Sequence, residues 1–197
     1  MSTTERPLFP LGTVLYPGGH LPLRIFEPRY LEMVSQSMRE QSPFVIVPIR
    51  SGIEVGQIPD IYQQGVLATI IDWDQGEDGL LAVTIEGSER VAISEPREGE
   101  RLLMHGTTEP IEESSLDDQV SPANSYLIEL LAQLPAVQQS SSEVEQETQS
   151  ATWLAYRLAE HLPMPLATKY EVLCAGSGAN KLDLVSQWVA AMVKEQR

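Results

Sequence analysis

Cysteine and histidine are scarce in this sequence of 197 residues, which has only Cys174 and three separated histidines. One cysteine excludes an internal disulfide framework and a multi-cysteine zinc site. The histidines, His20, His105 and His161, offer no pair at the i, i+3 or i, i+4 spacing of metal ligands. The chain also lacks an apolar run of roughly 18 residues that could span a membrane. Its N-terminus has no secretory signal pattern. We therefore expect a soluble, cytoplasmic protein without metal.

Basic residues are few: 13 Lys and Arg stand against 28 Asp and Glu, for a formal net charge of −15. The basic residues are scattered singly, so no local patch offsets that charge. A chain this acidic repels nucleic-acid backbones and anionic lipid surfaces. We expect neither nucleic acid nor membrane as a partner. Hydrophobic residues make up 42% of the chain, which is enough for a folded core.

Motifs for nucleotide binding and nucleophilic catalysis are also missing. The sequence has no Walker phosphate loop, no Gly-x-Gly-x-x-Gly after a strand pattern and no Gly-x-Ser-x-Gly elbow. The glycines at 176 and 178 end a helical pattern, which indicates a turn between helices. The acidic pairs at 112–113 and 117–118, and the acids of 74–78, are explained by solubility. We expect no cofactor. If the protein were an enzyme, its catalytic group would have to be His20 or His105.

The distribution of charge divides the chain. Residues 1–101 hold 8 basic and 15 acidic residues, residues 102–156 hold 9 acidic and no basic residues, and residues 157–197 hold 5 and 4. This pattern predicts a β-rich subdomain over 1–108, an acidic linker over 109–121 and a helical subdomain over 122–197.

The β-rich part alternates short β-branched runs with turn formers. Strands are predicted over 43–49, 65–73, 80–86, 90–94 and 102–108, with a hairpin at 74–79 and a turn at 86–89. Trp73 leads into that hairpin, where exposure is expected. One amphipathic helix is predicted over 29–40, with Leu31, Val34 and Met38 on its apolar face.

The C-terminal part has helical periodicity. Helices are predicted from 122 to 134, from near 142 to 161, over a short segment that turns Tyr170, Leu173 and Cys174 inward, and from 182 to 192. Trp153 and Trp188 lie within these patterns, which favours packing between helices.

The first 45 residues contain a more specific pattern. Residues 8–30 read LFPLGTVLYPGGHLPLRIFEPRY, followed by GIEVG at 52–56, GVLATII at 65–71 and VTIEGSERV at 83–91. AYRLAEHLPMP at 155–165 and KYEVL at 169–173 continue the match. In this order the segments resemble the Lon protease N-terminal domain family, also called the Lon substrate-binding domain. The chain departs from that pattern at Val91 and Lys181, where members often have Phe and Arg.

The resemblance implies an α+β fold: a PUA-like pseudo-barrel with one inserted helix, then a helical bundle. In full-length Lon this domain recognises unfolded polypeptides ahead of an ATPase and a Ser–Lys protease. Because the Walker motif is missing and the chain is short, the resemblance implies a stand-alone, non-enzymatic recognition or adaptor module. Its expected partner is an unfolded or extended polypeptide, and a protease or chaperone could act with it.

The candidate peptide-binding residues lie where the opening pattern enters the predicted helix: Arg24, Phe26, Glu27, Arg29, Tyr30 and Glu32. The structural alternative is that Phe26 and Tyr30 anchor the helix while the charges solvate it. PUA-like folds commonly bind RNA, so a nucleic-acid module is the alternative function, which the net charge disfavours.

Overall fold

The computed structural model describes residues 3–52, 59–76, 79–113, 118–134 and 150–195. The chain divides into two compact units, Met1–Glu112 and Glu113–Arg197. The first is built on a sheet and the second on helices, so the protein has a mixed α+β fold. Among the described helices, none combines the length and apolar character needed to cross a membrane.

The first unit contains seven described strands and one α-helix. The strands are β1 (Thr4–Leu11), β2 (His20–Ile25), β3 (Phe44–Ser51), β4 (Asp60–Ile61), β5 (Gln64–Gln75), β6 (Leu81–Glu98) and β7 (Met104–Pro110). Helix α1 (Pro28–Glu40) connects β2 to β3. The strand predictions at 43–49, 65–73, 80–86 and 102–108 are thereby confirmed, because each falls on one of these strands.

The strand order is β1-β7-β6-β5-β3-β4, and β2 pairs with β6. All these pairs are antiparallel, whereas β1 also pairs with β3 in parallel, from Leu8 opposite Val45 to Leu11 opposite Pro48. The central strands bury almost continuous apolar runs, and the core of the unit includes Leu8, Val45, Val47, Leu67, Val91 and Ile93. Such runs are typical of strands covered on both faces.

The turn predicted at 86–89 is wrong: β6 continues through it as a single strand of 18 residues. The extra residue forms a bulge opposite β5, where the register shifts between Val66 and Ala68. Gly87 lies at this point, and a Cβ there would come within 2.4 Å of the Tyr16 carbonyl oxygen. The glycine thus permits the 16–19 turn to approach β6, where Gly18 N–H donates to the Gly87 carbonyl at 2.8 Å. This contact fixes where β2 begins.

Helix α1 begins at Pro28, one residue before the predicted start at 29, and its buried face differs from the prediction. Val34 is fully buried, whereas Met38 is 36% exposed and Leu31 half-buried. The helix instead buries Met33 and also Ser37, whose hydroxyl donates to the Ser42 carbonyl at 2.6 Å. A polar residue is tolerated at this inner position because its hydrogen bond is satisfied.

The second unit contains helices α2 (Tyr126–Gln133), α3 (Ala151–His161), α4 (Leu166–Cys174) and α5 (Gly178–Glu195). A 3₁₀ turn at Pro122–Asn124 precedes α2, so the α-helix starts four residues later than predicted. Ser150 caps α3 by accepting the Trp153 N–H. The part of the predicted helix over 142–149 lies outside the described residues. Leu173 is buried, but Tyr170 and Cys174 are half-buried, which corrects the prediction that they point inward.

Two acidic residues that the sequence explains by solubility have structural contacts. Glu113 accepts hydrogen bonds from Tyr156 and Lys181. Asp118 accepts hydrogen bonds from the Ser150 hydroxyl and the Thr152 N–H. The interpretation that these acids serve only solubility is therefore wrong for Glu113 and Asp118, because both carboxylates bond the segment before α2 to later helices.

Candidate functional site

The six candidate residues extend from the end of β2 through the connection at 26–27 into the first two turns of α1, and the structure divides them into two groups. Four line one recess and the other two do not. The recess, called the β2–α1 recess below, has a volume of about 220 Å³ and is lined by Phe9, Pro10, Leu11, Pro22, Leu23, Arg24, Ile25, Phe26, Glu27 and Tyr30. Arg24, Phe26, Glu27 and Tyr30 are thus brought together.

Phe26 and Tyr30 differ in exposure although both line the recess. Tyr30 is 5% exposed, and its ring stacks on Phe9 with 3.9 Å between centroids. It anchors α1 to β1, as the structural alternative proposed. Phe26 is 52% exposed, so it does not anchor the helix in the described structure. An aromatic side chain left half in water beside a recess is available to a ligand.

Arg29 points inward and is buried, which corrects the expectation of a solvating charge. Its guanidinium donates to the Glu27 carboxylate at 2.8 Å and to the Leu102 carbonyl at 3.1 Å. It also lies 4.7 Å from the Tyr30 ring centroid. Such planar, multiple contacts suit a guanidinium held in a fixed position. Arg29 therefore positions Glu27 and Tyr30 and does not itself line the recess.

Glu32 is exposed and forms an ion pair with Arg101. Arg101 and Leu102 both have positive φ, 55° and 65°, which side-chain-bearing residues rarely adopt. The Leu102 side chain is 46% exposed. The turn is held by Arg29 on the Leu102 carbonyl and by Glu32 on Arg101. No sequence signal pointed to this turn, because neither residue is a glycine or an asparagine.

The histidines occupy three unrelated places. His20 lies 3.6 Å from Glu86 across β2 and β6, and His105 lies 3.7 Å from Glu5 across β7 and β1. His161 ends α3, as predicted, and burial lowers its pKa, with a further lowering by Arg157 and Lys169. In the described part of the chain, no three His, Cys, Asp or Glu side chains form a group that could hold a metal ion.

The comparisons with known proteins agree on one family. Residues 5–191 match the family model of the ATP-dependent protease La (Lon) substrate-binding domain. The chain therefore belongs to the Lon substrate-binding domain family, and the resemblance seen in the sequence is confirmed.

Solved structures support the same fold. A Lon N-terminal domain protein from Xanthomonas campestris matches with a TM-score of 0.75 at 30% identity, covering 94% of this chain and 98% of that one. The N-terminal domain of a Mycobacterium avium complex Lon protease matches with a TM-score of 0.67 over 95% and 98%, at 16% identity. This second likeness is one of fold alone.

Curated relatives are full Lon proteases. The chain is 27% identical to the Lon protease of Phenylobacterium zucineum over 95% of its own length, and 25% identical to Lon protease 1 of Bdellovibrio bacteriovorus over 85%. It spans 24% and 22% of those proteins. The chain thus spans about a quarter of the length of each of these proteases.

Proposed function

We propose that this protein is a non-enzymatic recognition or adaptor module that binds unfolded or extended polypeptide segments at the β2–α1 recess. The half-exposed ring of Phe26 beside that recess is the observation that carries the proposal. Membership of a substrate-binding domain family supports a recognition role. The proposal of a role without catalysis is supported by the family being a substrate-binding domain.

The size and lining of the recess favour a side chain as its occupant. Its volume of about 220 Å³ is below the roughly 300–1,000 Å³ of sites for drug-sized ligands. Phe9, Leu11 and Leu23 supply an apolar lining, and Tyr30 closes the inner side. An apolar side chain of an extended segment would be removed from water there and would cover Phe26. Burial of this kind contributes about 25 cal/mol of favourable binding free energy for each Å² of apolar surface.

The rim of the recess carries charge of both signs. Arg24 and Glu27 lie on it, and Arg29 holds the Glu27 carboxylate in place. These groups would hydrogen-bond the backbone of a bound segment, which presents donors and acceptors whatever its sequence. We also propose that exposed Leu102, tied to Arg29 through its carbonyl, extends the apolar contact.

Further proposals concern architecture and surroundings. The parallel pairing of β1 with β3 links the two ends of the β7-β6-β5 path, which supports the PUA-like pseudo-barrel. We propose that residues 109–121 join the two subdomains, that the protein acts in the cytoplasm, and that a protease or chaperone receives its bound polypeptide. The net charge of −15 argues against nucleic acid or anionic membrane as partner.

The test is a titration of a fluorescein-labelled, permanently unfolded polypeptide with this protein, followed by fluorescence anisotropy. It is run at low and high salt, beside a labelled RNA of equal length. Saturable polypeptide binding that persists at high salt, without a response to RNA, is the expected result. Saturable RNA binding at physiological salt, or no binding of the polypeptide, would overturn the proposal.

A further inference from the structure

Strand β2 has one edge that pairs with no described strand. It pairs with β6 along its whole length, His20–Ile25, and with no other strand in the described part of the chain. The edge that faces away from β6 is called the β2 edge below. Strand edges of this kind carry rows of N–H and C=O groups to which another chain can bond.

The direction of the backbone groups in this region follows from Gly87 of β6. Its carbonyl accepts from the Gly18 N–H at 2.8 Å, and its N–H donates to the Gly19 carbonyl at 2.9 Å. Gly19 directly precedes β2, so both bonds show that Gly87 directs its backbone groups toward the side of β6 on which β2 lies.

Alternation along the strands then assigns a side to each residue of β2. Every second residue of β6 before Gly87 also bonds toward β2, and these residues pair with Leu21, Leu23 and Ile25. These three residues therefore direct their N–H and C=O groups to β6, and the residues between them direct theirs to the β2 edge. Pro22 is one of the latter, and proline, which has no N–H, is tolerated at such an outward position.

The β2–α1 recess runs along the β2 edge. It is lined by six consecutive residues, 22–27, and by three consecutive residues at the end of β1, 9–11. Successive side chains of a strand point to opposite faces of the sheet. A hollow that is lined by all of them therefore lies beside the strand and not over one face. The recess and the β2 edge are thus parts of one site.

The opposite edge of the same three strands, β2, β6 and β5, is closed by its own side chains. At the end of β5, the Trp73 N–H donates to Asp72 at 2.9 Å and the Gln75 N–H donates to Asp74 at 2.7 Å. Charged side chains on an outward N–H keep another strand from pairing there. The indole of Trp73 is 59% exposed at this edge, as the sequence predicts. Strand β2 contains no Asp, Asn, Ser or Thr that could close its edge in the same way.

We propose that an extended polypeptide segment binds by adding a strand to the β2 edge, with one apolar side chain in the β2–α1 recess. This inference rests on the proposed function and specifies how the site selects its substrate. A strand added at the usual spacing of about 4.7–4.9 Å bonds to β2 through backbone groups, whatever its sequence.

Pairing through the backbone selects unfolded segments. The backbone N–H and C=O groups of a folded protein are already bonded to one another, whereas an unfolded chain offers them to a partner. A segment rich in proline lacks the N–H groups and is excluded. The substrate class is therefore extended segments with unblocked N–H groups and an apolar residue for the recess.

The probe is a labelled peptide with one central phenylalanine among serine and threonine residues, so that the recess fixes its register. Two derivatives each carry two N-methyl groups, either on the residues adjacent to the phenylalanine or on the residues one position further out. The N–H groups of an extended segment alternate between its two edges, so each derivative blocks one edge. We expect one derivative to bind about tenfold more weakly, because it loses two backbone hydrogen bonds, and the other to bind like the parent peptide.

Intermolecular nuclear Overhauser effects locate the bound peptide. Because Leu23 directs its N–H and C=O groups to β6, its Cα–H points to the β2 edge. We expect effects between this proton and backbone protons of the parent peptide. The Cα–H of Asp74, which points to the closed edge of β5, is the control and should show none.

The remaining outcomes contradict strand addition. Equal losses with both derivatives, or no loss with either, would exclude pairing through one edge. Effects from Asp74 in place of Leu23 would put the peptide on β5.

The variant Phe26→Ala keeps the two failures apart. If it weakens binding of the parent peptide while both derivatives bind alike, the proposed function stands and strand addition is overturned. If the parent peptide does not bind but the unfolded polypeptide does, strand addition alone is overturned. If neither binds, the proposed function fails as well.

Discussion

The amine of Lys181, which is fully buried, lies 3.0 Å from a carboxylate oxygen of Glu113. The same amine donates to the Ala175 carbonyl at 2.5 Å and lies 5.6 Å from the centre of the Tyr156 ring. Tyr156 in turn donates its hydroxyl to the other oxygen of Glu113 at 2.7 Å. The buried ammonium group is thus compensated by a carboxylate, a backbone carbonyl and the face of an aromatic ring.

Removing the acid from this pair should destabilise the second unit. Glu113→Ala leaves the Lys181 charge buried, and we expect a loss of about 2 kcal/mol in the free energy of unfolding. Adding Lys181→Met should recover part of that loss, because an apolar side chain of similar length needs no partner. Urea denaturation followed by circular dichroism measures both. The neighbouring Glu112→Ala, at an exposed position, is the control and should change stability little. An additive double variant would contradict this account.

Glu160 should make stability depend on pH. Burial raises its pKa to about 7, although Arg157 and Lys169 act in the opposite direction, with the Arg157 guanidinium at 2.9 Å. Between the ordinary pKa near 4.5 and the folded value, the folded state holds a proton that the unfolded state has lost. This contribution to stability is therefore full below about pH 4.5 and declines as the pH rises to about 7.

The variant Glu160→Gln removes that titration. We expect the stability difference, variant minus wild type, to rise by on the order of 2 kcal/mol between pH 5 and pH 8. Taking the difference cancels other groups, including His161, whose lowered pKa acts with the opposite sign. Urea denaturation of both proteins at a series of pH values measures this stability difference. A difference that stays constant with pH would show that Glu160 titrates normally.

The turn at Leu102 should separate stability from binding. Its φ of 65° strains a leucine, and such strain costs roughly 1–2 kcal/mol that glycine does not incur. Leu102→Gly should therefore raise stability by up to about 1 kcal/mol, and under our proposal it should weaken polypeptide binding. Leu102→Ala keeps the strain and should weaken binding without the gain in stability. Unchanged affinity in both variants would remove Leu102 from the proposed site.

Much of the fold was predictable because its signals are local. Val45, Val47 and Leu67 lie in apolar runs that identify buried strands, and the helical periodicity over 29–40 identifies α1. The bulge at Gly87 was not predictable, because a glycine after Glu86 also suits a turn. Only the approach of the Tyr16 carbonyl, far away in the chain, distinguishes a bulge from a turn at this position.

The candidate site was predictable only in its place along the chain. The sequence pointed to the entry of α1, but it could not distinguish exposed Phe26 from buried Tyr30 or Arg29. That difference depends on Phe9 of β1 stacking on Tyr30 and on the Leu102 carbonyl accepting from Arg29, contacts between residues far apart in the chain. The sequence marked Lys181 only as a departure from the family pattern, and its burial could not be predicted because its partner Glu113 lies 68 residues away.

The most direct test of the central claim compares the affinity of one labelled unfolded polypeptide for the wild-type protein, Phe26→Ala and Val193→Ala. Phe26 and Val193 are similarly exposed, at 52% and 51%, and Val193 lies on α5 in the second unit. We predict that Phe26→Ala weakens binding about tenfold at unchanged thermal stability, as expected for loss of a central aromatic contact, while Val193→Ala binds like wild type. Equal affinity of all three proteins would contradict recognition of polypeptides at the β2–α1 recess.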